Sequence, residues 1–384
     1  MKKLNYYVLL LLCAGISMVS CESTEEEIIS SEITEITGNM TLSGNKEYII
    51  NQNVYLDNAE LVIEAGCTIK FGPDGMIIVG YTANAAIIAL GTAKKPIVFK
   101  NANAGSNWKG LRFYGYATNR NRMEHCIFDK AGRSDYHNTC IAIYNSEITM
   151  FKCTIQNSSS YGIFCEDNGG FVSFDSNLVE NCASHPMRID AVKVENIGNG
   201  NVFQSNGNFG IEVLGQYLES GNEIHWKKQS LPYFIEGSIN VSNNSSWIIE
   251  AGTILKMKSS SYISIGSIDN GSLIARGTLT EPIVLTSATL NPTHGNWDGI
   301  YFYGHTMGNS ILEFCEIMYG GYNEYSGNVT FSGYENQGKV TIRNCRIAYS
   351  GHYGIYFGYD TDWTSLSLLN LFDNNLDGDI YREN

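Results

Sequence analysis

The chain is poor in proline, with 6 in 384 residues, and poor in charge, which only 17% of residues carry. No segment holds the 3.6-residue apolar period over a useful length, so a helical bundle is excluded. Lysine and arginine form no stripe, and 39 acidic against 25 basic residues leave a formal charge of −14. Such a chain is a poor partner for nucleic acid. The cysteines show neither C-x-x-C nor Cys/His metal spacing, which removes the zinc and dithiol readings. What is abundant is glycine, with 39 residues, and tyrosine, with 24, a balance that suits many short strands and turns.

A short unit then recurs. Cys153-Thr154-Ile155-Gln156-Asn157 leads to Tyr161-Gly162-Ile163-Phe164, Asn201-Val202-Phe203 leads to Phe209-Gly210-Ile211, and Cys345-Arg346-Ile347 leads to Tyr353-Gly354-Ile355-Tyr356. With Asn177-Leu178-Val179 between them, the first series falls at the evenly spaced positions 153, 177 and 201. That even spacing predicts a solenoid. Strand-like runs such as Leu61-Val62-Ile63, Thr68-Ile69-Lys70-Phe71 and Ala85 to Leu90 alternate with Gly, Asn and Asp turns.

A longer period lies over the short one. Ile63-Glu64-Ala65-Gly66 returns as Ile249-Glu250-Ala251-Gly252, Asn107-Trp108-Lys109-Gly110 as Asn296-Trp297-Asp298-Gly299, and Cys153 as Cys345, at offsets of 186, 189 and 192. Motif order is kept while the offset grows in small, equal steps. The chain therefore reads as a tandem duplication, 48–232 and 233–384, continuous with each other and preceded by 22–47 as an acidic tether and N-terminal cap.

Coils of this length with two or three short strands resemble the right-handed parallel β-helix of the pectin-lyase-like superfamily. The segments Ile249-Glu250-Ala251-Gly252-Thr253, Gly277-Thr278 to Pro282-Ile283-Val284, and Asn296-Trp297-Asp298-Gly299-Ile300-Tyr301-Phe302 are similar to those of bacterial β-helix repeat lipoproteins. The resemblance implies an all-β fold over 48–384. At about 24 residues and about 4.8 Å per coil this amounts to roughly 14 coils.

The first 21 residues carry Lys2 and Lys3, an apolar run through Leu12, and a small residue before Cys21. This reads as a signal peptide whose Cys21 resembles a lipobox cysteine, lipidated after cleavage. A lipoprotein of the outer membrane is expected, held by its lipid alone, with the run Glu22 to Glu27 as a solvated tether or surface-export signal. Cys126, Cys153, Cys315 and Cys345 alternate with Asn177 and Asn201 in one slot. This predicts a buried ladder of free thiols.

The candidate chemistry is thin. β-Helix enzymes of the resembled superfamily cleave acidic polysaccharides by elimination or hydrolysis, which requires a base with a cation, or two facing carboxylates. His185, Arg188, Asp190 and Lys193 form the best catalytic constellation, with Arg188 and Asp190 on one strand face; the alternative is a surface ion pair. Asp373, Asn375, Asp377 and Asp379 alternate as in a calcium loop but lack the closing Glu. No other cofactor is expected. Tyr319, Tyr322, Tyr325 and Trp363 lie in or near turns of the second copy as ligand-binding candidates. Trp108 and Trp297, at duplicated positions, read as packing residues with sugar stacking as the alternative. Two functions stay open: a noncatalytic face that binds polysaccharide or a cell-surface protein, and a polysaccharide lyase or glycoside hydrolase. A third option is a scaffold that assembles through an open end.

Overall fold

The computed structural model describes residues 30–133, 137–333, 340–359, 361, 364–366 and 369–383. They wind into a parallel β-solenoid of about 12 turns of roughly 26 residues, with almost no helix. All the paired strands run parallel, each bonded to the strands one turn before and one turn after.

The corners explain the recurring unit. Lys152 and Asn157 both adopt left-handed φ values, 52° and 57°, and they bracket the strand Thr154–Gln156. His125 and Lys130, Ser176 and Asn181, and Asn344 and Tyr349 bracket the corresponding strands in other turns. Each left-handed residue turns the chain sharply, so only a few extended residues fit between two corners. Asn tolerates this conformation better than most residues.

Just inside one corner sits the ladder. Asn177 Oδ1 accepts from Cys153 N at 2.8 Å, Asn201 Oδ1 accepts from Asn177 N at 3.0 Å, and Asn370 Oδ1 accepts from Cys345 N at 3.0 Å. A second ladder runs at the next corner, where Asn206 Oδ1 serves Cys182 N at 3.0 Å and Asn375 Oδ1 serves Ser350 N at 3.1 Å. All eight cysteines from Cys67 to Cys345 are buried free thiols.

The even spacing of the ladder holds only locally. Ile155 pairs with Val179 and Val179 with Phe203 in equal steps, but the step from Ile77 to its partner Leu111 is much longer. Loops inserted at the corners lengthen most other turns, which is why about 12 turns replace the larger number expected. Strand pairing also begins before residue 48: Ser31–Glu32 pairs with Tyr48 and Ile49, and Met40–Leu42 with Leu61 to Ile63. Ile33, Ile36 and Leu42 are buried against the core there.

Three sheets wrap the first copy and three the second, but one of them is shared. A 13-stranded sheet runs from Asn53–Leu56 to Leu371–Asp373 without a break. In the first copy it is built from strands such as Gly110–Phe113, whose duplicates in the second copy, Gly299–Phe302, lie in a separate seven-stranded sheet. In the second copy it is built from strands such as Ile283–Ser287, whose duplicates, Ile97–Asn101, lie in the eight-stranded sheet of the first. The second copy is thus stacked on the first with its pattern advanced by one face. At the seam the strand Ile211–Leu214 pairs with Tyr233–Glu236. A 3₁₀ helix, Ala191–Asn196, lies against Gly170–Asp175 on one side and Tyr217–Leu218 on the other, where the neighbouring face is interrupted.

Candidate functional site

Along every strand one set of side chains fills the core and the other faces out, so functional groups sit in outward rows with one residue per turn. On the 13-stranded sheet the register aligns Phe164, Arg188, Glu212, Phe234 and Lys256 in one such row across the seam.

The four catalytic candidates separate onto different parts of this region. Arg188 lies in the row, with its guanidinium over the Phe164 ring at 5.1 Å and Nη1 at 3.5 Å from Glu212 Oε2. His185, almost buried, stands at the preceding turn and bonds through Nδ1 to Gly210 O at 2.8 Å. Asp190 is buried at the far end of the strand, where its Oδ2 accepts from Asn168 N at 2.9 Å and burial pushes its carboxyl up. Lys193 belongs to the 3₁₀ helix on the adjoining face, paired with Glu147 at 2.6 Å. Arg188 and Asp190 share the outward side of one strand and His185 stays beside them, its ring stacked on that of Tyr161 at 6.1 Å, whereas Lys193 holds its partner on the adjoining face.

The centre of the region is a residue that the sequence reading passed over. Glu212 is 4% exposed, yet it accepts hydrogen bonds from Tyr161 Oη at 2.9 Å and Lys258 Nζ at 2.9 Å besides meeting Arg188. Burial alone would raise its carboxyl, but the Lys258 and Tyr161 bonds outweigh that and hold it below the usual range. Burial pulls on the Lys258 amine in the other direction, and its bonds to Glu236 and Glu212 keep it above its ordinary value. A signal for Glu212 existed: its slot holds an aromatic ring in the units Tyr161-Gly162-Ile163-Phe164 and Tyr353-Gly354-Ile355-Tyr356. Beside it opens a groove of about 680 Å³ with Phe234 and Lys256 on its floor and exposed Phe209 and Leu290 on its walls.

A second groove, about 380 Å³, lies on the outer face of the seven-stranded sheet and is lined by Tyr301, Tyr303, Tyr325, Tyr356, Tyr359 and Glu383. Tyr325 is 70% and Tyr359 52% exposed. Tyr356 donates to Glu383 Oε2 at 2.9 Å, and burial raises the phenols of Tyr301, Tyr303 and Tyr356, so they stay protonated as donors. Among the described residues no Lys or Arg lines this groove.

Of the expected ligand-binding tyrosines only Tyr325 lines it. Tyr319 stacks on Tyr349 at 5.0 Å and packs against the core, and Tyr322 is exposed beside Gly295. Trp363 and Cys21 lie outside the described residues. Trp108 and Trp297 are fully buried, with Nε1 donating to Asp129 O and Met318 O at 2.8 Å each, so neither stacks on a sugar.

The calcium candidates are engaged differently from a loop. Asp373 pairs with Arg346 at 2.9 Å, Asp377 bonds to His352 Nδ1 at 2.5 Å, and Asn375 is a ladder residue that also donates to Ile347 O at 3.2 Å. Asp379 is exposed on the next strand, Gly378–Arg382. Among the described residues no three His, Cys, Asp or Glu side chains come together as a metal site.

Comparison with known families matches residues 33–136 and 217–368 to a pectate-lyase-like β-helix domain. The stretch between the two matches contains the ladder residues Asn177, Asn201 and Asn206, the 3₁₀ helix and Glu212. No curated protein and no solved structure matches the chain.

Proposed function

Since the chain belongs to the pectate-lyase-like β-helix domain family, we propose that it binds a linear, uncharged polysaccharide without cleaving it. The observation that carries this reading is the tyrosine groove: rings and protonated phenols aligned along the solenoid, with no cation among its described lining residues. Flat rings cover the apolar faces of pyranoses, and phenols and Glu383 exchange hydrogen bonds with their hydroxyls. An acidic polymer meets repulsion from a chain of charge −14. Elimination needs an uncharged base, whereas the amine of Lys258 and the guanidinium of Arg188 are held against Glu212. A lipid on Cys21 would anchor this binding rod to the outer membrane and present it to polysaccharide there.

Affinity electrophoresis through gels containing xylan, mixed-linkage β-glucan or polygalacturonate tests the proposal. Retardation by xylan or the glucan is expected. The double variant Tyr325→Ala/Tyr359→Ala should weaken it tenfold or more, at about 1 kcal/mol per lost ring contact. Retardation by polygalacturonate alone, with ultraviolet absorbance rising from unsaturated ends, would replace binding with lyase activity.

A further inference from the structure

The first copy carries aromatic rings of its own, on a different side of the rod. Tyr55, Tyr81 and Tyr114 come from successive turns along the edge of the 13-stranded sheet, Tyr81 and Tyr114 just past the ends of the strands Met76–Val79 and Gly110–Phe113, with ring centroids 5.9 and 5.1 Å apart, and Tyr144 follows at 5.2 Å. Tyr55 is 48% and Tyr81 54% exposed, and neighbouring Tyr116 is exposed as well. Beyond Tyr144 the row of rings ends, because its partner in the next turn is Glu166, which meets His137 Nε2 at 3.6 Å. The open part is a ledge one ring wide, with one ring from each turn.

The ledge and the tyrosine groove share one duplicated position. Tyr114 follows the strand Gly110–Phe113 as Tyr303 follows Gly299–Phe302. Because the pattern advances by one face at the seam, Tyr114 lies on the 13-stranded sheet and Tyr303 on the seven-stranded one. The two surfaces look out from different sides and lie at different heights along one rigid stack.

We propose that the Tyr55–Tyr81–Tyr114 ledge is a second glycan-stacking surface, so that one chain bridges two polysaccharide strands. The proposal rests on the reading of the tyrosine groove given above. A linear glycan is the occupant that fits the ledge. Its rings come one from each turn, about 4.8 Å apart along the axis, in a file that an extended chain can follow, and the neighbouring carboxylate, Asp57, accepts from the Thr82 and Ala83 amides at 2.9 and 3.1 Å. Two weak sites on one rigid body also gain avidity when both strands belong to one matrix.

A sandwich assay tests it with the full chain. Xylan or mixed-linkage β-glucan is immobilised, protein is added, and the same polysaccharide in soluble, fluorescein-labelled form follows. Wild-type protein is expected to be retained and to capture label. Tyr55→Ala/Tyr81→Ala and Tyr325→Ala/Tyr359→Ala should each still be retained through the remaining surface but capture at least tenfold less label. All four residues are exposed, and an unchanged circular dichroism spectrum excludes misfolding. Wild type that is retained without capturing label overturns bridging and leaves the groove standing. Full capture by Tyr55→Ala/Tyr81→Ala also overturns it, since the bridge would then come from self-association. Wild type that is not retained overturns both readings.

Discussion

At the scale of single residues, the ladder asparagines do work that no apolar residue can replace. Asn177 supplies an acceptor to Cys153 N and a donor to Met150 O, both inside the protein. Asn177→Ala leaves both groups buried without partners, and should cost about 2 to 4 kcal/mol. Gln204→Ala, which removes only an exposed bond to Glu180, should stay within about 0.5 kcal/mol. Urea denaturation of the two variants decides the matter; equal midpoints would show the ladder to be ornamental. The thiols make a separate prediction about pH. Burial raises Cys67 from 9.0 to about 12, so above pH 9 the unfolded chain loses this proton while the folded chain keeps it. Stability contributed by the site is therefore complete below pH 9 and is lost between 9 and 12, at about 1.4 kcal/mol per pH unit. The advantage of wild type over Cys67→Ala in denaturant midpoint should shrink accordingly from pH 8.5 to 10.5. An unchanging difference would place Cys67 in contact with water.

Elements carry the next lesson, because here a motif can be right in sequence and wrong in place. The segment from Asp373 to Asp379 alternates carboxylates and amides, but a solenoid corner consumes them: one Asn turns inward to the ladder and two Asp side chains meet Arg346 and His352. Calcium at about 1 mM, or its removal by EDTA, should leave the thermal unfolding temperature within about 1 °C, roughly the precision of the comparison; a rise of several degrees with calcium would restore the loop. Much of the fold was legible for the same reason that this motif misled. Cys153, Asn177 and Asn201 recur at one spacing because each occupies the same corner of successive turns, so periodicity reports stacking directly. Sites leave no period. Glu212, Tyr161 and Lys258 meet only because their turns are stacked, and the sole trace of Glu212 is its departure from an aromatic slot. Tyr325 was legible as an exposed ring in a turn, but its neighbours Tyr301 and Tyr303 were hidden within what looked like an ordinary strand.

For the whole molecule, sequence equivalence and spatial neighbourhood are uncoupled by the seam. Phe164 and Tyr356 are counterparts in the duplication yet belong to different sheets, whereas Arg188, Glu212, Phe234 and Lys256 have no common motif and form one row. The 13-stranded sheet is what makes this possible, since it accepts strands of either type provided that their inward residues fill the core. Seen this way, the duplication acts as a screw thread, because its length is not a whole number of turns. Each added copy would carry the same outward pattern further along the rod and one face further round it. A third copy spliced on with the same junction would therefore point its tyrosines towards the remaining side. A fourth would bring them back into line with the first, so that simple lengthening of the gene changes the directions in which the rod can hold its surroundings.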